Sequence, residues 1–92
     1  MRTKRNEEAR LLWALQGSAG LQCLGCKFHR GLTGGIILTL KGRTIGIWKS
    51  ESSKFFFSEA YLSEPVQAAS CVEEALSITS HIAIANRQYL TM

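Results

Sequence analysis

Residues 34–57 read GGIILTLKGRTIGIWKSESSKFFF, and this stretch decides the fold that the sequence predicts. Side chains alternate along residues 36–40 with the period of a strand that buries one face. Polar turns at residues 41–43 and 50–54 divide the stretch into three such segments, and Gly42 can take the positive φ of a tight hairpin. We therefore expect three antiparallel strands whose buried face is covered by helices.

The alternation also assigns side chains to the two faces of the predicted sheet. The face that packs against a helix is predicted to comprise Ile36, Leu38, Leu40, Ile45 and Ile47. Thr44, Gly46 and Trp48 then point to the opposite face. The three phenylalanines at residues 55–57 cannot all point one way, and the alternation does not decide whether Phe56 or its two neighbours face outward. Trp48, with Phe56 in one of the two arrangements, would be available to contact a partner.

A helix is predicted on either side of the strands. The first is capped by Asn6, carries leucines at positions 11, 12 and 15, and ends at Gly17. The second begins at the capping box Ser70-Cys-Val-Glu73, whose end residues bond reciprocally to the helix start. Its sheet-facing side is predicted to comprise Val72, Ala75, Leu76, Thr79, Ile82 and Ala83, with His81 nearly opposite.

These elements form one unit. Ninety-two residues suffice for a single hydrophobic core, so we predict one compact α+β domain over residues 1–92 with the order α-β-β-β-α. Residues 1–5 would be a mobile basic arm. Residues 17–35 are predicted to be a glycine-rich loop, and a short strand at residues 21–24 is an alternative within it. The order is similar to that of the double-stranded-RNA-binding domain. Since that family begins its second helix with lysines and this chain has Cys-Val-Glu-Glu there, no RNA-contact residue is carried over.

Positive charge is concentrated in the first two thirds of the chain. The net charge is +4, to which residues 1–30 contribute +4, residues 31–61 contribute +2 and residues 62–92 contribute −2. An anionic partner would therefore meet the N-terminal half and the strand turns. A solvated basic face without a partner is the alternative.

Composition favours a soluble, cytoplasmic protein. A hydrophobic fraction of 46% and a charged fraction of 20% are typical of a folded chain. No apolar run approaches the roughly 20 residues of a membrane span, and the basic start lacks the apolar core of a signal peptide. Three cysteines are too few, and odd in number, for a disulfide-built secreted scaffold. We expect no membrane partner.

The segment Cys23-Leu-Gly-Cys26-Lys-Phe-His29 holds three potential zinc ligands. A structural site needs a fourth, and the other cysteine and histidine are Cys71 and His81. On one continuous helix these two would lie roughly 15 Å apart, so at most one could join. A zinc-stabilised domain is therefore the weaker hypothesis, and we expect reduced cysteines packed in a loop without a cofactor.

An enzymatic function is not expected. The chain contains no aspartate, which removes the usual Ser-His-Asp and magnesium-carboxylate arrangements. The glycine-rich residues 31–35 precede a strand rather than a helix and lack the lysine of a phosphate-binding loop. The helical separation of Cys71 and His81 excludes a dyad of these two residues. A dyad of His29 with Cys23 or Cys26 is possible, but no third group is identified that would orient the imidazole.

Basic side chains flank both predicted turns, with an aromatic residue between them. Lys41 and Arg43 border the first turn, Lys49 and Lys54 border the second, and Trp48 lies between. Cations neutralise phosphates and rings stack on bases, so this combination suits nucleic acid. The basic surface could be extended by Arg2, Lys4, Arg5, Lys27 and Arg30 if the fold brings them to the same side. The alternative is that the first helix covers Trp48 and the lysines only protect the hairpin ends.

The sequence therefore predicts a small non-enzymatic protein that binds nucleic acid or a ribonucleoprotein surface through its basic turns and outer sheet face. The rival from another class is a protein–protein inhibitor. Small basic proteins of phages and mobile elements include some that block nucleic-acid machines such as CRISPR effector complexes. The two differ in partner, because an inhibitor would stay bound to a protein complex after nuclease treatment.

Overall fold

The computed structural model describes residues 4–60 and 67–90, with side chains for residues 6–60 and 67–86. In chain order the elements are α1 (Lys4–Gln16), α2 (Ala19–Cys23), β1 (Cys26–Arg30), β2 (Ile36–Leu40), β3 (Arg43–Glu51), β4 (Lys54–Glu59), β5 (Gln67–Ala69) and α3 (Val72–Leu90). All five strands form one antiparallel sheet in the order β1-β2-β3-β4-β5. The predicted α+β class is confirmed, but the sheet has five strands rather than three.

Two of the unpredicted elements lie in the segment expected to be a loop. Ser18 begins α2, since its hydroxyl oxygen accepts a hydrogen bond from the Leu21 amide at 3.3 Å. The short strand considered at residues 21–24 is therefore wrong. In β1, Cys26 and Phe28 are buried while Lys27 is exposed, which is the period of a strand. The alternation spans five residues of a glycine-rich segment that has no clear period overall, and for that reason the sequence predicts a loop there.

α1 begins earlier than predicted. Asn6 lies within the helix rather than at its cap, so that prediction is wrong. Lys4 and Arg5 of the predicted basic arm belong to the helix, and the rest of that arm lies outside the described residues. The leucine side is confirmed, because Leu11 and Leu15 are fully buried.

Two side-chain hydrogen bonds hold α1 across the edge of the sheet. The carboxylate of Glu8 accepts from the Gly35 amide at 3.0 Å, and the Gln16 side-chain amide donates to the Phe28 carbonyl at 3.0 Å. These contacts come from opposite ends of the helix and reach the loop before β2 and the edge strand β1. They position α1 over the β1 side of the sheet, where its leucines join the core.

A bulge in β3 reverses the predicted facing of its central residues. Leu38 pairs with Gly46 while Thr39 pairs with Thr44, so Ile45 is an extra residue in β3. One added residue moves each following side chain to the other face. Trp48 is consequently 0% exposed on the helix-covered side and Ile47 lies on the other face, so both predictions were wrong.

The helix-covered face has an aromatic centre that is tied to α3. The rings of Trp48 and Phe57 pack with centroids 5.3 Å apart at an angle of 57°. The Trp48 indole Nε1–H donates to the Thr79 hydroxyl at 3.0 Å, and that hydroxyl donates to the Ala75 carbonyl at 2.6 Å. Both buried polar groups are therefore paired, as burial requires. The remaining predicted inward residues Ile36, Leu38, Leu40 and Ile45 are confirmed as buried.

α3 covers this face with the side that its periodicity predicts. Ala75, Thr79 and Ala83 are buried, while His81 is exposed. The helix begins one residue later than expected, and the Ser70 hydroxyl donates to Glu74, at 2.7 Å, rather than pairing with Glu73. α3 spans 19 residues, yet neither it nor any other helix among the described residues is long and apolar enough to cross a membrane.

Two hairpins with two-residue turns carry positive φ at both turn positions. In the first, Lys41 and Gly42 have φ values of 52° and 82°, which confirms the predicted role of Gly42. In the second, Ser52 and Ser53 have φ values of 52° and 65°. Asn-Gly is the favoured pair for such turns, and serine has no glycine-like freedom there. The second hairpin is therefore strained where the first is relieved by its glycine.

Replacing the strained turn should stabilise the protein. We expect Ser52→Asn with Ser53→Gly to raise the free energy of unfolding by about 1 kcal/mol, or Tm by about 4–8 °C in a domain of this size. Thermal unfolding followed by circular dichroism measures the change. Gly42→Ser is the matched reverse substitution and should lower Tm. An added Cβ at Gly42 meets no atom within 4 Å, so only the φ penalty acts. A turn variant that melts no higher than the parent would contradict the expectation.

Candidate nucleic-acid interface

Within the part of the chain that the structure describes, the helices cover one face of the sheet and leave the other open. The core joins leucines of α1 and alanines of α3 to Ile36, Trp48 and Phe57, so the helices occupy one side. The side chains on the other side, which we call the outer face, are all exposed or half-buried. They are Lys27, His29, Ile37, Thr39, Thr44, Ile47, Lys49, Glu51, Lys54, Phe56, Ser58 and Ala68. The outer face is therefore the broad surface on which a partner can lie.

A half-buried apolar strip crosses the middle of the outer face. Ile37 and Ile47 are directly opposite each other on β2 and β3. Ile47 lies over Gly35, since a Cβ added there would be 2.8 Å from the Ile47 Cδ1 atom. Phe56 on β4 is opposite Lys49 and diagonal to Ile47, so the strip extends toward the β5 side.

Three lysines lie around this strip. Lys27 is on the edge strand β1, Lys49 is two residues before the end of β3 and Lys54 begins β4. All three are exposed, and the acidic residue on the outer face among the described side chains is Glu51, opposite Lys54. From the strand spacing and rise, Lys27 and Lys54 are about 25 Å apart along the diagonal. The cations thus border the apolar strip at both ends.

The five-strand register separates these lysines from other residues predicted to bind. Arg30 and Arg43 are exposed at strand ends but alternate to the helix-covered side. Arg43 lines a shallow pocket of about 240 Å³ with Ile82 and Asn86 of α3. Lys41 is at the tip of the first turn.

The remaining predicted binding residues are not on the described surface. Trp48 is fully buried beneath α3, so it presents no ring to a partner. Lys4 and Arg5 are described only as part of α1, and Arg2 lies outside the described residues. Among the described residues, the aromatic side chain on the outer face is therefore Phe56 rather than Trp48, and it is half-buried.

The three potential zinc ligands are not brought together. Cys26 points into the core, whereas His29 is on the outer face of the same strand, so the sheet lies between them. Burial raises the pKa of the Cys26 thiol above its ordinary value, which disfavours the thiolate that binds metal. Within residues 4–60 and 67–90 no group of three or more His, Cys, Asp or Glu side chains is placed to hold a metal ion.

A second concave surface of about 520 Å³ lies where the starts of α1 and α3 approach the second turn. Its lining includes Arg10, Ser53, Cys71 and Glu73. Cys71 is exposed at the start of α3, but the described residues that line this groove include no histidine to serve as its base. This lining offers polar side chains for contact.

Comparisons of the chain with protein-family models, with curated protein sequences and with solved structures find no match. The similarity in element order to the double-stranded-RNA-binding domain does not hold either, because the observed order is α-α-β-β-β-β-β-α. The charges and contacts of the outer face are therefore the basis for assigning a function.

Proposed function

We propose that the chain is a non-enzymatic nucleic-acid-binding protein that meets its partner with the outer face of the sheet. The main support is that Lys27, Lys49 and Lys54 border an apolar strip that the described helices leave uncovered. Lysines neutralise phosphates, while apolar and aromatic side chains contact sugars and bases.

The distribution of charge also favours an anionic partner on this side. Among the described side chains, the outer face carries three lysines and one glutamate, whereas the start of α3 on the opposite side carries Glu73 and Glu74. A positive potential on one side steers an anion to that side. The basic net charge of +4 adds to this attraction.

Neutralising the three lysines should weaken binding and make it less sensitive to salt. We expect the lysine variant, with Lys27→Gln, Lys49→Gln and Lys54→Gln, to bind a labelled oligonucleotide more weakly at low salt. The slope of log K against log salt should fall by about 2 on a single strand, at about 0.7 for each phosphate that the variant no longer neutralises. Fluorescence anisotropy at several salt concentrations measures both quantities.

A control variant on the helix-covered side separates this effect from net charge. Arg10→Glu with Ser77→Glu lowers the net charge by the same three units, and both residues are exposed away from the outer face. It should keep the parental salt slope. Equal decreases in affinity for the two variants, or parental binding that is absent or insensitive to salt, would contradict the proposal.

A pull-down tests for a protein partner instead. The parental chain and the lysine variant are each used as bait, and the samples are treated with nuclease. If the parental chain retains a protein complex after this treatment and the lysine variant does not, the outer face binds a protein surface. Such a result would favour inhibition of a nucleic-acid machine over direct binding to nucleic acid.

A further inference from the structure

We infer that the outer face selects single-stranded over double-stranded nucleic acid, because Phe56 offers a ring on which an unpaired base can stack. This inference depends on the proposed function. Phe55 and Phe57 point into the core, at 3% and 0% exposure, whereas Phe56 between them is half-buried on the outer face. The alternation along β4 therefore places the Phe56 ring, and not its two neighbours, on the outer face.

Phe56 is half-buried, and two of its neighbours on the outer face are small. Across the sheet it is opposite Lys49 on β3 and Ala68 on β5. Along β4 on the same face its neighbours are Lys54 and Ser58. Ala68 and Ser58 are small, so two sides of the ring are bordered by short side chains. We expect a planar base to approach the ring from these two sides.

The two lysines next to Phe56 suit the backbone of the same strand. Cross-strand partners have Cβ atoms about 5 Å apart, and residues two apart in a strand are separated by about 7 Å. Lys49 and Lys54 are therefore neighbours of Phe56 on two sides, and their flexible side chains can bring ammonium groups close to a nucleotide on the ring. A nucleotide whose base stacks on Phe56 has phosphates within reach of both.

A regular duplex offers the ring no free base. Its bases are already stacked and paired, and inserting a side chain between them costs a few kcal/mol for each unstacked step. The lysines can still contact the phosphates of the duplex. Stacking on an aromatic side chain is available to an unpaired base of any kind, so the selection concerns strandedness and not sequence.

The test compares Phe56 variants on two probes at one salt concentration. The probes are an oligouridine of about twelve nucleotides, within the site sizes of about 4–16 nucleotides of small single-strand-binding folds, and a duplex of equal length. Phe56→Leu should reduce affinity for the single strand by roughly 5- to 150-fold, the range for losing one stacked base, and leave duplex affinity unchanged. Phe56→Tyr keeps the ring and should bind as the parent does.

Trp13→Leu is the control for removal of an exposed aromatic residue elsewhere. Trp13 is 82% exposed on α1, on the helix side of the sheet, and its removal should not change the preference. The inference is overturned if Phe56→Leu binds the single strand like the parent, if it weakens binding of both probes equally, or if the parent prefers the duplex. The proposed function survives these three results as long as the lysine variant binds more weakly than the parent, whereas a parent that binds neither probe overturns both.

Discussion

Trp48→Ala should lower the free energy of unfolding by about 3–5 kcal/mol, the range for emptying a large aromatic site in a core. Trp48 is 0% exposed, packs against Phe57 and donates its indole N–H to Thr79. Its replacement removes the centre of the packing between the sheet and α3 and leaves a cavity. Since domains are stable by about 5–15 kcal/mol, the variant will retain only part of the parental stability or unfold.

Urea denaturation followed by far-ultraviolet circular dichroism measures this decrease. Trp13→Ala is the matched control, because the same residue type at 82% exposure should change stability by no more than about 0.5 kcal/mol. Thr79→Val tests the hydrogen bond separately and should cost about 1–3 kcal/mol by leaving a buried indole N–H unpaired. If the two tryptophan variants were equally stable, Trp48 would be on the outer face, as an uninterrupted alternation predicts.

Gly46→Ala should destabilise the fold by about 3 kcal/mol, the upper part of the usual range for overfilling a core. An added Cβ would overlap the Phe57 ring and the Ser58 backbone carbonyl of the neighbouring strand. A side chain can rotate away, but a carbonyl within the β3–β4 ladder can move only if the strands separate. Glycine is therefore needed at this position of the bulge because of space.

Gly20→Ala provides the comparison for this substitution. Gly20 is exposed in α2, and a Cβ added there meets Ser18 Oγ at 3.9 Å as its nearest neighbour. Because alanine is the better helix former by about 1 kcal/mol, this variant should be as stable as the parent or more so. Thermal and urea unfolding should show a lower free energy of unfolding than the parent for Gly46→Ala and no decrease for Gly20→Ala. A Gly46→Ala protein as stable as the parent would contradict the bulge geometry.

Elements defined by their own periodicity could be predicted. The β2–β3 hairpin follows from alternation around Gly42, and the sheet-facing side of α3 follows from its helical period. Both signals are local and need no knowledge of partners. By contrast, β5 has only three residues, and β1 pairs with β2 across a glycine-rich loop, so neither strand has a strong local signal.

Part of the candidate site could also be predicted from the sequence. Lys27, Lys49 and Lys54 were among ten candidate binding residues, but composition and charge could not show which of the ten share a face. That depends on how many strands the sheet has and on the register of each pair. Gly46 in the interior of a strand was the available sign of a bulge, since glycine there often marks one.

The α+β class, the inward side of β2 and the buried sides of α1 and α3 are readable from the amino-acid sequence, because neighbouring side chains set these patterns. The placement of Trp48 in the core and of Phe56 on the outer face required the folded chain. One extra residue at Ile45 reverses the facing of the strand that follows it. The sheet accommodates that extra residue because Gly46 pairs with Leu38 and because Gly46 packs under the Phe57 ring. Both are contacts between residues distant in the chain.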